Sequence, residues 1–177
     1  FYAVHLPPFV ADQGLDPMVG VIGLTVVGIG NLIGTYASGW WGQRYPKRWG
    51  LSFIYFMRAV IFLGFLYLPI TPEFVIGASA LLGLFWLSTI PLTSGLVATF
   101  LGPKWMTMLY GIVFFSHQVG SFFGAWSAGY IFDRTQSYDI VWWISVALGL
   151  FAALVHIPIR EAPVARLAGT GGAEPAR

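Results

Sequence analysis

The feature that most constrains this chain is the recurrence of uninterrupted apolar runs, each 20 residues or longer and separated only by short polar joints. A helix needs about 20 mostly apolar residues to cross the hydrocarbon core of a bilayer. Five complete runs of that kind lie near 18–42, 48–69, 73–101, 105–132 and 139–159. A sixth, residues 1–11, is expected to be the end of a span whose beginning is absent, because the chain opens without Met inside an apolar stretch. It lacks the basic segment and small-residue cleavage site of a signal peptide. Strands of a transmembrane barrel would alternate over about ten residues, whereas these runs are continuous, so the expected fold is an all-α membrane bundle. The breakers agree: Asp16-Pro17, Pro69 to Pro72 and Gly102-Pro103 stand where helices must end.

Composition narrows the class further. Hydrophobic residues make up 57% of the 177 and charged residues only 9%, against roughly 25% charged in soluble domains. Nine basic residues and a net charge of +2 make no basic face for nucleic acid. Absence of cysteine excludes disulfides and thiolate metal sites. No GxSxG, HExxH, phosphate loop or paired intramembrane carboxylate is present, so neither an enzyme nor a cofactor is expected. From about residue 162 the chain turns to Ala, Gly, Pro and charge, which predicts a disordered cytoplasmic tail over 162–177.

The charges also orient the bundle. Arg44, Lys47, Arg48, Lys104, Arg160, Arg166 and Arg177 fall on one side by parity, and Arg134 alone on the other. Because cytoplasmic loops are enriched in Lys and Arg, the C-terminus is expected in the cytoplasm.

Polar residues inside the runs are the candidates for function. In the 18–42 run, Gly28, Asn31, Gly34, Thr35, Ser38 and Gly42 are expected on one helical face, suited to close helix contact, with Asn31 either bonding across it or lining a cavity. His117, Gly120, Ser121 and Gly124 repeat the pattern in 105–132, with Gln118 beside them. His117 is either a neutral hydrogen-bonding group or a protonatable one. Arg58 lies mid-span, where a charge costs several kcal/mol unless partners or a wet cavity take it up. No acidic residue shares its depth, so carbonyls, a side chain outside this sequence or an anion must face it. Trp86 is also mid-span, beside Ser88, Thr89, Thr93 and the helix-kinking Pro91, and faces either packing or a substrate path. Trp40, Trp41, Trp49, Trp105, Trp142 and Trp143 are expected in interfacial belts.

Two stretches carry a resemblance. GWWGQRYPKRWGL at 39–51 resembles the signature loop of the major facilitator superfamily, G-x-x-x-D-R-x-G-R-K, in its second copy: Gly39, Arg44, Lys47 and Arg48 match, Gln43 replaces Asp and Pro46 the second Gly. GSFFGAWSAGYIFDRTQSYDIVWW resembles helix eleven of the bacterial monocarboxylate-porter-like branch, through Gly120, Gly124, Gly129, Asp133, Thr135, Ser137 and Tyr138. HLPPFVADQGLDP is similar to that branch's helix-seven end.

The resemblance implies helices seven to twelve of a twelve-helix transporter, whose first half would be the partner. It implies alternating access in a bacterial inner membrane, and symport of a small organic anion such as a monocarboxylate with a proton. Export of amphipathic drugs or other small solutes is the alternative, and a non-transporting receptor or assembly subunit a more distant one. Asn31, Trp86, His117 and Gln118 would then stand on path-lining helices and Arg58 on an outer one. Gly39, Arg44, Lys47 and Arg48 would form a conformational latch, and Gly120, Gly124 and Gly129 would pack helices.

Orientation is directly testable because the chain is free of cysteine. In a cysteine-free background, Asp12→Cys is expected to react with a membrane-impermeant maleimide added to intact cells, and Ala168→Cys only after permeabilisation. The reverse pattern inverts the topology.

Overall fold

The structure is a computed structural model and describes residues 1–164. The tail expected over 162–177, with Arg166 and Arg177, therefore lies outside the described residues from 165 onward. Among them the regular elements are helical: α1 Tyr2–Asp12, α2 Pro17–Arg44, α3 Lys47–Tyr67, α4 Pro72–Trp86, α5 Thr89–Leu101, a 3-10 turn at Pro103–Trp105, α6 Met106–Thr135 and α7 Asp139–His156.

Helix starts follow local chemistry. The Asp16 side chain accepts from Met18 N at 2.8 Å, with Pro17 in the first turn of α2. Thr71 does the same for α4, accepting from Phe74 N at 3.2 Å ahead of Pro72. Gly14 and Gly102 take positive φ where the chain leaves α1 and α5. Among the described residues four stretches are long and apolar enough to cross a membrane: Pro17–Arg44, Lys47–Tyr67, Pro72–Leu101 and Asp139–His156. The third contains the α4–α5 break. The 30-residue α6 is as long but less apolar and is not among them.

Helices in lipid gain no hydrophobic energy by meeting one another, so they associate where small residues let backbones touch. Here α2 packs most extensively on α4, and α3 on α7. The α2–α4 seam is backbone against backbone. A methyl group on Gly83 would lie 2.6 Å from Val27 O, one on Gly30 would lie 3.0 Å from Gly83 Cα, and one on Gly34 would overlap Leu84 O. The buried face of α2 is Gly20, Gly23, Val27, Gly30, Gly34 and Ser38. This corrects the expected face: Gly28 is exposed with nothing within 4 Å. It sits six residues before Gly34, hence about 120° around the helix.

Two clusters fill the interior. The larger gathers Tyr2, Leu6 and Phe9 of α1, Phe62 and Phe65 of α3, Val75 and Leu82 of α4, and Val141, Trp142 and Val146 of α7. Trp142 departs from the belt expectation: it is 1% exposed and stacks on Phe65 at 4.6 Å and 7°, while Trp143 next to it is exposed against Tyr67. Successive positions on a helix point about 100° apart, which places one Trp in the core and the other outside. The smaller cluster joins Leu51 and Ile54 to Leu92 and Leu96.

Overpacking a close seam costs about 1–3 kcal/mol. Gly34→Val and Gly83→Leu are therefore expected to lower the thermal unfolding midpoint in detergent clearly, whereas Gly28→Ala leaves it within error.

Candidate functional site: a braced break in the α4–α5 span

Pro91 has no N–H, so the carbonyl of Leu87 cannot receive the usual helical bond. Ile90 N takes it instead at 3.0 Å, a tighter i to i+3 turn, and the span divides into α4 and α5 across Leu87 and Ser88. Inside a bilayer a freed backbone amide must find a protein partner. Asn31 on α2 provides it: its Oδ1 accepts from Leu87 N at 3.1 Å. Ser88, 2% exposed, turns its Oγ back to donate to Leu84 O, close beside Gly34. The seam that brings α2 against α4 is thus what lets Asn31 reach the break.

Arg58 approaches the same break from α3. Its guanidinium lies 5.7 Å from the ring centroid of Tyr55 and 5.8 Å from that of Trp86, the last residue of α4. It makes neither an ion pair nor a hydrogen bond among the described residues. Aromatic faces worth ~2 kcal/mol when desolvated, and the negative end of the α4 dipole, offset part of the cost of a mid-span cation. Tyr55 in turn stacks on His156 at 5.2 Å. Trp86 also stands 5.9 Å from Tyr2. The Ser79 hydroxyl donates to Val75 O at 2.6 Å, so the Tyr2 hydroxyl donates to Ser79 Oγ at 2.8 Å. Asn31, Arg58 and Trp86, far apart in sequence, therefore meet at one helix discontinuity.

His117 and Gln118 do not join them. Both are exposed on α6, where Gly111 to Phe123 is open throughout, and the His117 ring contacts Phe114 at 6.4 Å between centroids. Among the described residues a side chain at Gly120 or Gly124 would find nothing within 4 Å, because α6 touches its neighbours mainly at its two ends. Gly129 does lie at a contact: a methyl group there would stand 3.7 Å from His5 Cε1.

That histidine escaped the sequence reading. Its Nε2 faces Ala125 O at 3.1 Å and its Nδ1 faces the Tyr138 hydroxyl at 3.2 Å. A carbonyl only accepts, so Nε2 donates to Ala125 O, and Nδ1 pairs with the Tyr138 hydroxyl. Burial pushes the Tyr138 phenol up, and the nearby Asp12 and Asp133 push it further. A histidine within the opening apolar stretch was the signal available.

The loop at 39–51 is fastened to the chain beyond α7. Glu161 Oε1 accepts from Arg48 N at 2.8 Å, Glu161 Oε2 lies 3.9 Å from Lys47 Nζ, and Arg48 Nη1 donates to Ile159 O at 3.0 Å. The residue preceding α3 is Pro46, which has no side-chain acceptor, so a carboxylate from far along the chain caps this helix. Arg44 lies over the Trp40 ring at 4.4 Å. A methyl group on Gly39 would meet only Pro91 Cβ within 4 Å, at 3.9 Å.

A braced, broken helix within a glycine-packed bundle of long apolar helices defines a polytopic membrane protein. Residues 1–176 match the model of the Major Facilitator Superfamily, and the chain belongs to that family. It is 26% identical over 163 residues to an uncharacterised transporter of this type, YcxA, from Bacillus subtilis, covering 89% of this chain and 40% of that protein. It is 24% identical over 169 residues to monocarboxylate transporter 13 from Bos taurus, covering 92% of this chain and 40% of that one. The chain thus spans about two fifths of the length of these curated relatives. No solved structure matches it.

Removing the acceptor leaves Leu87 N unpaired, a loss of about 1–3 kcal/mol. Asn31→Ala is expected to lower the unfolding midpoint and speed amide exchange at Leu87 and Ser88, whereas Asn31→Asp, which keeps the acceptor, does so less. Equal behaviour of the two variants removes Asn31 from the brace.

Proposed function

We propose that this chain is part of a secondary active transporter that works by alternating access and carries a small organic anion, a monocarboxylate in the first instance, together with a proton. The family is one of transporters. The substrate class is supported by the name of one relative, a monocarboxylate transporter. The observation that carries the reading is Arg58: a mid-span cation with no carboxylate partner among the described residues, held at a helix break whose α5 side presents the positive end of its dipole. Discontinuous helices are how transporters bring helix ends to an anionic solute at mid-membrane depth.

The open face of α6 supplies the second element. His117 is free there to exchange a proton, and Gln118 to hydrogen-bond a solute. The face from Gly111 to Phe123 lies opposite the remainder of the transporter in this reading, with Gly120 and Gly124 allowing its close approach. The 39–51 loop, clasped by Glu161, steadies the basic face of the bundle while the halves rock. That face is the cytoplasmic one, as the distribution of Lys and Arg implies.

The test is uptake of a panel of small monocarboxylates by the intact protein in vesicles, with and without an imposed proton gradient. Gradient-driven uptake is expected. Arg58→Gln should reduce it at least about tenfold, the factor that 1.4 kcal/mol of lost anion stabilisation represents, and His117→Gln should flatten its pH dependence. Folded protein that takes up no carboxylate discards the substrate class and leaves export of amphipathic solutes as the reading to pursue. Unchanged pH dependence in His117→Gln removes the proton from that side chain.

A further inference from the structure

A cavity of about 560 Å3 lies between α2, α3 and the α4–α5 break, within the range of roughly 300–1,000 Å3 typical of small-molecule sites. Its inner end touches Phe85 and Ser88 at the break, Ala37 and Phe53 form its sides, and Trp41 and Trp49 stand at its outer end. The lining is almost wholly apolar. Its two hydroxyls are already spent inside their own helices: Ser38 Oγ donates to Thr35 O at 3.0 Å and Ser88 Oγ to Leu84 O. An occupant is therefore asked for no hydrogen bond along its buried length.

The outer end is different. Trp41 and Trp49 mark the depth at which indole rings meet headgroups, and two cations stand there on neighbouring rings. Arg44 lies over Trp40 at 4.4 Å, and Arg48 over Trp49 at 5.3 Å. The nearby carboxylate of Glu161 is engaged by Arg48 N and Lys47, and Arg44 forms no ion pair among the described residues. A guanidinium so placed is suited to a phosphate.

We propose that this groove binds one acyl chain of an anionic phospholipid from the leaflet on the basic face, with the phosphate at Arg44 and Arg48 and the tail reaching the helix break at Ser88. The match is one of size and polarity together: an apolar slot of about 560 Å3 that demands nothing polar within, and cations at its outer end. An extended peptide segment would bring backbone groups with no partners into the slot, and a zwitterionic lipid would bring its ammonium group, as well as its phosphate, beside the arginines. Because the tail ends against Phe85 and Ser88, its presence restricts movement of α5 against α4. This site is independent of which solute the protein carries.

The intact protein is reconstituted in vesicles containing a trace of phosphatidylglycerol or phosphatidylcholine with a photoreactive group on one acyl chain, and adducts are mapped by peptide mass spectrometry. Phosphatidylglycerol adducts are expected to concentrate on Trp49, Phe53 and Phe85, relative to Phe151 and Leu154 on the outer surface of α7. Their excess over phosphatidylcholine adducts should be about fivefold, the selectivity one juxtamembrane arginine provides. Arg44→Gln, at an exposed helix end, should lower that ratio clearly, with Arg48 keeping it above one. Ala37→Phe should fill the slot and lower groove adducts several-fold while adducts on α7 persist. Adducts spread evenly over groove and α7, a ratio unmoved by Arg44→Gln, or groove residues shielded by another part of the protein would each overturn the proposal. If Ala37→Phe does not fold, the Arg44→Gln ratio decides alone.

Discussion

The contact between α2 and α4 is the constraint from which the rest of this structure follows. In water, helices can be driven together by any apolar stripe, but in lipid the tails solvate Leu as well as another helix does. Association then depends on how closely backbones approach and on polar groups that meet across the contact. Gly30, Gly34 and Gly83 remove the side chains that would keep α2 and α4 apart, to the point that a single methyl group on Gly83 would strike the Val27 carbonyl. Everything placed on those helices, including the break after Trp86, inherits its position from that seam.

The break shows what such proximity makes affordable in a medium without water. Pro91 disrupts a helical ladder where nothing in the lipid could repair it, and the repair comes from Asn31, which reaches Leu87 N only because Gly34 lets the helices touch. Arg58 belongs to the same locality but is held differently, by aromatic faces and a helix end rather than by a carboxylate. A charge held loosely in that way keeps its capacity to meet an anion, while one locked in a salt bridge has already spent it.

At the opposite end of the length scale, Glu161 ties the loop after α2 to the segment after α7, capping α3 from across the bundle. This clasp links α3 and α7, which also form the second large helix contact, and leaves α6 as the helix with the most open surface. The bundle is thus firm around α1, α2, α3, α4 and α7 and open along the face that bears His117 and Gln118.

Much of the architecture was legible before any coordinates. Apolar runs of sufficient length, punctuated by Pro, Gly and Asp, are enough to predict membrane helices and their approximate ends, because the bilayer imposes the length and proline and glycine impose the stops. The same reading isolated Asn31, Arg58 and Trp86, since a polar group or a ring at mid-membrane depth stands out against an apolar background. It could not say that the three share one helix break, nor that His117 stands apart from them. Small residues announce close packing but not its direction, so Gly28, Gly120 and Gly124 resembled Gly34 until the helices were placed, and Trp142 resembled its neighbour Trp143. The sequence by itself determined which segments enter the membrane and which side chains are costly there, since both depend on local composition against a uniform solvent. Which glycines touch, which face of α6 stays open, where the carboxylate of Glu161 lands and what surrounds Arg58 were decided only by the tertiary structure. They depend on rotations of helices about their axes, and those are set by pairwise contacts between segments far apart in the chain.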